Sequence, residues 1–97
     1  MKYSIKYLPS LSRDIHQIAE ALTEYPDKAR RLLKEMDEKL LKLVDTPFMC
    51  PAFHARPMYR KMVLEDHLLF YTVDKQRHEV RACRILYAKM DTARQLE

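Results

Sequence analysis

Arg60, Arg84 and a tyrosine near them are the residues whose types could do chemistry together, because the two arginines fall in stretches that read as strands. A guanidinium grips a phosphate through two parallel hydrogen bonds, whereas a lysine acts more as a point charge. A tyrosine beside it can stack on a base or exchange a proton. Side chains alternate along a strand. Arg84 therefore shares a face with Val80, Ala82 and Leu86, and Arg81 shares the other with Tyr87. Arg60 goes with Met58 and Met62, and Lys61 with Tyr59 and Val63. By parity Arg84 and Tyr87 are separated unless a bulge or a strand end re-aims one of them. The functional reading is a patch of Arg60, Arg84 and a tyrosine on a bare sheet face. Ordinary polar residues on a half-solvated antiparallel sheet would give the same spacing.

Other chemistries find less support. His16, His54, His67 and His78 are scattered over a helix, a loop and two strand connections, whereas a metal site needs convergent ligands. His54 lies near Arg56 in the loop that leads to the basic strands, where a histidine can serve as a base. Cys50 and Cys83 have no metal-type spacing, and Cys83 in mid-strand reads as core packing. Glycine and asparagine are both absent. Phosphate-cradling loops of the P-loop and dinucleotide-binding kinds need glycine, so nucleotide binding by those routes is excluded. The usual two-residue hairpin turns are disfavoured too, which predicts longer strand connections. No cofactor and no metal is expected.

The chain has 97 residues, enough for one domain spanning 1–97 with a single modest core. Its net charge is +4, and the two halves differ. Residues 1–48 hold nine Lys and Arg against eight Asp and Glu, while residues 49–97 hold nine against six. Six of those last nine cations are arginines, so the C-terminal half better suits a phosphate-rich or acidic partner. With no long apolar run, no signal peptide and two thiols expected to be reduced, the chain reads as cytoplasmic.

The positioning elements follow from periodicity. Lys2 to Leu8 alternates, with Tyr3, Ile5 and Tyr7 on one side, and predicts a strand that Pro9 ends. Ser10 or Ser12 is the expected cap of a helix whose apolar face is Leu11, Ile15, Ile18 and Leu22. Tyr25-Pro26 stops it, and Asp27 is the expected cap of a second helix. The second apolar stripe is Ala29, Leu32, Leu33, Met36, Leu40, Leu43 and Val44, with Arg30, Lys34, Glu38 and Lys42 facing solvent. The short link makes the two an antiparallel hairpin. Phe48 to Pro57 reads as a loop packed down by its aromatics. Strands follow at 58–63, 68–73 and 79–87 as an antiparallel meander, joined by residues 64–67 and 74–78. Residues 91–96 add a helical turn or a frayed tail. The expected class is α+β in the order β-α-α-β-β-β, the hairpin covering one face of an antiparallel sheet and the other face left free for a partner.

That order, with Tyr59-Arg60, then Leu69-Phe70-Tyr71-Thr72-Val73-Asp74, Arg84-Ile85-Leu86-Tyr87 and Met90-Asp91, resembles the RelE/ParE superfamily of bacterial type II toxins. The resemblance spans nearly the whole chain and implies a small toxin made beside a neutralising antitoxin. One branch of the superfamily cleaves mRNA on the ribosome and the other inhibits DNA gyrase. Residues 82–87 resemble the last strand of YoeB toxins, where Arg84 matches a conserved arginine and Tyr87 the catalytic tyrosine. Leu86 stands where those toxins have a histidine, Leu68 where they have an arginine, and their acidic base has no clear counterpart. Residues 85–91 look like the C-terminal run of ParE toxins. The first expectation is a ribosome-dependent mRNA interferase, with Arg60, Arg84 and Tyr87 catalytic and Arg56, Lys61, Arg81 and Lys89 on the RNA. The alternatives are a gyrase inhibitor acting by binding, and a binding-only relative without toxicity. The antitoxin is expected to fold a disordered segment over Arg60 and Arg84.

Overall fold

The computed structural model describes residues 2–96. Strand β1 (Ser4–Tyr7) leads into helices α1 (Pro9–Ala21) and α2 (Pro26–Lys42). A two-residue strand β2 (Ala52–Phe53) precedes β3 (Arg56–Leu64), β4 (His67–Asp74) and β5 (Glu79–Tyr87), and α3 (Thr92–Gln95) closes the described chain. The sheet order is β1-β5-β4-β3-β2. The meander β3-β4-β5 is antiparallel as expected, but β1 joins it parallel to β5, which makes the sheet mixed. β2 breaks the stretch read as loop: Ala52 and Phe53 pair with Arg60 and Arg56 around a bulge, too short a run to leave a periodicity.

Both helices start on proline rather than on the expected caps. Pro9 and Pro26 occupy the first turn, where a missing N–H costs nothing, and neither preceding residue caps with its side chain. Ser10 instead donates its Oγ–H to the Cys83 carbonyl at 2.7 Å, and Asp27 pairs with Arg30 within the first turn. The apolar stripes pack as read. Leu11, Leu32, Met36, Leu40 and Leu43 are buried against Met62, Leu64, Leu69, Tyr71, Val80, Ala82 and Ile85. Each fully buried leucine contributes about 2–3 kcal/mol.

The face away from the helices is not bare. Phe70, Leu86 and Leu96 form a second buried cluster with Phe53, Tyr59 and Leu68 against it, so the C-terminal turn covers part of that face. Asp91 caps this turn through the Arg94 N–H.

The hairpin between β3 and β4 corrects the expected connection length. Leu64 pairs with His67, leaving only Glu65 and Asp66 as the loop, and Glu65 takes φ +55° without being glycine. A left-handed non-glycine costs about 1–2 kcal/mol. It is offset here by the anchoring of Asp66, whose carbonyl accepts the Ala88 N–H at 2.8 Å and whose carboxylate meets His67 and Lys28. The β4–β5 turn is closed by Asp74, whose Oδ1 accepts the N–H groups of Gln76 and Arg77.

Candidate functional site

Strand β5 carries the decisive irregularity. Phe70 pairs with Arg84 and Tyr71 with Ala82, so Cys83 is an extra residue and the alternation shifts there. Val80, Ala82 and Ile85 face the helices. Arg81 before the bulge, and Arg84 and Leu86 after it, point to the opposite face. This corrects the parity read from sequence, which grouped Arg84 with Val80 and Ala82. Arg84 and Tyr87 remain on opposite faces because both follow the bulge.

Arg84 is held by a carboxylate that sequence reading did not single out. Its Nε and Nη2 meet Asp14 of α1 at 2.7 and 3.0 Å, and Nη1 donates to the Gln95 carbonyl at 2.8 Å. The geometry has a local cause. β1 covers the edge of β5 only as far as Ala82, leaving the backbone beyond it unpaired. Helix α1 takes over: Leu8 N–H donates to Ala82, Ser10 to Cys83, and the Ile85 N–H donates to Asp14 Oδ2 at 3.1 Å. Asp14 is 5% exposed, so a buried carboxylate balances Arg84 and raises its pKa, chiefly through those hydrogen bonds. The signal available in sequence was the Ser10…Asp14 spacing, one helical turn on the face toward β5.

Arg60 occupies a different setting. It pairs across the sheet with Tyr71, on the helix side, and Nη1 donates to the Cys50 carbonyl at 2.6 Å. Its guanidinium lies 4.8 Å from the centroid of the Phe48 ring. Tyr71 is fully buried, donates its hydroxyl to the Pro47 carbonyl at 3.0 Å, and has its pKa raised chiefly by burial.

Tyr87 is 39% exposed at the far end of the same side. It pairs with His67, which pairs in turn with Leu64, four residues along β3 from Arg60. At the rise of a strand that is about 13 Å. The Tyr87 ring packs edge-on to His67 at 5.7 Å between centroids. His67, read as a connection residue, is instead the buried first residue of β4, and its Nδ1 lies 2.9 Å from Asp66 Oδ1. Burial works against the charge on Asp66, but the hydrogen bond and charge of His67 outweigh it and hold the carboxyl below its ordinary range. These residues border a cleft of about 340 Å³ whose other walls include Ile18, Leu22, Leu86 and Met90.

The remaining basic residues are dispersed. Arg81 pairs with Glu79 at 2.7 Å and Asp74 at 3.4 Å, and the Glu79 contact leads in raising its pKa. Lys61 sits 5.7 Å over the Phe53 ring, Arg56 lies beside Asp91 and Arg94 near α3, and Lys89 is exposed after β5. His54 is exposed in the β2–β3 turn. Cys83 is a buried free thiol whose pKa burial raises, and Cys50 is free and half-buried. Among the described residues no three His, Cys, Asp or Glu side chains converge to hold a metal ion. Among them, too, no helix is long and apolar enough to cross a membrane.

A mixed five-stranded sheet under a helical hairpin is the architecture of small toxins from type II toxin–antitoxin systems. Residues 5–92 match the family model of the ParE toxin of the type II toxin–antitoxin system parDE, and the chain belongs to that family. A chain of the chromosomal ParDE system from P. aeruginosa superposes with a TM-score of 0.75 at 18% identity, covering 91% of this chain and 98% of that one. A mutant of the E. coli toxin RelE in the free state gives 0.71 at 13% identity, over 98% of this chain and 93% of that one. A chain of the heterotetrameric YoeB–YefM toxin–antitoxin complex from Staphylococcus aureus gives 0.58 at 15%, over 90% and 98%. No curated protein matches in sequence.

Proposed function

We propose that this chain is a toxin that acts by binding its target rather than by cleaving RNA, and that the target is DNA gyrase. The observation that carries the reading is the separation of Arg60, Arg84 and Tyr87. Cleavage of a phosphodiester needs a proton acceptor and the charge-stabilising groups within hydrogen-bond reach of one phosphate. Here one arginine is on the other face of the sheet and already neutralised by Asp14, and the second is about 13 Å of strand away from Tyr87. A binding toxin needs no such convergence. The match to the ParE family model supports the same branch.

One observation favours the second reading, ribosome-dependent mRNA cleavage. Asp66 orients His67 beside Tyr87, so a proton acceptor and a phenol do share a cleft. The deciding assay is DNA supercoiling by gyrase with added toxin, run beside cell-free translation with primer extension on the mRNA. The binding reading expects supercoiling to stop and the mRNA to stay whole. Cuts confined to translating ribosomes, and lost in Tyr87→Phe, would replace it with the nuclease.

In the cytoplasm the toxin is expected to be complexed with a cognate antitoxin, as in the heterotetrameric YoeB–YefM complex. Of the two arginines expected beneath the antitoxin, Arg60 is the one that meets no carboxylate among the described residues. Acidic antitoxin side chains are therefore expected there, and Arg60→Glu should weaken the complex more than Arg84→Glu weakens it in protein that remains folded.

A further inference from the structure

The cleft that Tyr87 borders has an unused acceptor in its lining. It opens between the helical hairpin and the end of the sheet, with Ile18 and Leu22 of α1 among its walls and Leu86 and Met90 facing them. Its volume of about 340 Å³ falls among small-molecule sites, which run from roughly 300 to 1,000 Å³. His67 belongs to the lining, and its side chain is 10% exposed. Its Nδ1 lies 2.9 Å from Asp66 Oδ1, and a carboxylate only accepts, so Nδ1 carries the proton. Nε2 of the neutral ring is then a lone-pair acceptor. It has no hydrogen-bond partner among the described residues. No side-chain nitrogen or oxygen among them is both sealed from solvent and unpartnered. Nε2 therefore reaches solvent, and the cleft is the opening that His67 lines.

The charges around this acceptor are already matched. Lys28 lies 3.5 Å from Asp66 at the mouth, and Asp14 is neutralised by Arg84. A charged ligand would break one of these pairs or leave its own charge unpaired. The aliphatic walls suit an apolar body, and the Met90 thioether and the Tyr87 ring suit a flat one. We propose that this cleft binds a neutral aromatic small molecule with one N–H or O–H donor, of the indole or phenol class, whose donor meets His67 Nε2. A partner's tryptophan or tyrosine carries the same chemistry, but a protein surface would have to desolvate the Lys28–Asp66 pair at the mouth, whereas a free molecule passes it. The inference goes beyond the gyrase reading and does not depend on it.

The test is a titration of the purified full-length toxin with indole, p-cresol and 1-methylindole, followed by NMR of its histidine and tyrosine rings. Indole and p-cresol should shift the His67 and Tyr87 signals saturably. 1-Methylindole lacks the N–H, leaves Nε2 unpaired and should bind about tenfold more weakly. His67→Phe keeps a ring and removes the acceptor, so the two indoles should then bind within about twofold of each other. Met90 is 45% exposed, so Met90→Gln leaves the fold intact, and it should weaken both indoles by the same factor, about threefold. N-acetyltryptophanamide, which carries the indole on a peptide unit, should bind more weakly than indole. Absence of saturable shifts up to the solubility of indole would overturn the proposal, as would equal binding of indole and 1-methylindole by the parent. Tighter binding of N-acetyltryptophanamide than of indole would overturn it too, and would make the cleft a socket for a partner's side chain.

Discussion

Arg60 and Arg84 are the same residue on neighbouring parts of one sheet, yet their surroundings differ in kind. Arg84 is tied to the buried Asp14 and to the C-terminal turn, so its charge is spent joining α1, β5 and α3. Arg60 is tied to carbonyls and a ring and meets no carboxylate among the described residues. The contrast comes from the edge of β5. Where β1 ends, α1 must satisfy the strand, and the carboxylate that accepts the Ile85 N–H also captures the nearest guanidinium. An arginine in a strand is thus structural or available according to what completes the sheet beside it.

The sharpest way to break this comparison is Asp14→Ala. It strands a partly buried guanidinium and orphans the Ile85 N–H, and should cost about 3–5 kcal/mol in urea unfolding. Arg84→Gln combined with it should cost less than the two singles together, since the pair acts as a unit. Arg60→Gln should cost about 1–2 kcal/mol, for hydrogen bonds to carbonyls and one cation–π contact. If Arg60→Gln proved as damaging as Asp14→Ala, the division of labour between the arginines would fail.

A smaller effect concerns acid. The carboxyl of Asp66 is held below its ordinary range, so its ionised form stabilises the fold. That contribution is complete above the unfolded-state pKa of about 3.9 and is lost as the pH falls through the lower folded value. Asp66→Asn should therefore be less stable than the parent at pH 7, and in chemical denaturation the gap should narrow only once the pH falls below about 3.9. A gap unchanged by pH would mean that Asp66 acts only through its backbone.

Much of this arrangement was legible before the structure. The helical stripes from Leu11 to Leu43 and the strands from β3 to β5 follow from period and punctuation, and the packed core uses those residues. The resemblance carried by residues 59–91 led to the right superfamily. Local pattern could not reveal the extra residue at Cys83, because a bulge changes which side chains share a face without changing composition. It could not reveal the parallel docking of β1, a pairing between residues about 75 apart. Asp14 looked like one more polar helix residue, since its partner lies 70 residues away. The Glu65-Asp66 turn was missed because tertiary anchors there override the preference for glycine.

The central claim is that Tyr87 and the two arginines are not one catalytic unit, and the most direct test is Tyr87→Phe. In the binding account this toxin inhibits gyrase supercoiling within about twofold of the parent, because the change removes only a hydroxyl from a half-exposed ring. The mRNA in a translation reaction stays intact with either protein. The account is contradicted if the parent cuts mRNA on the ribosome and Tyr87→Phe does not.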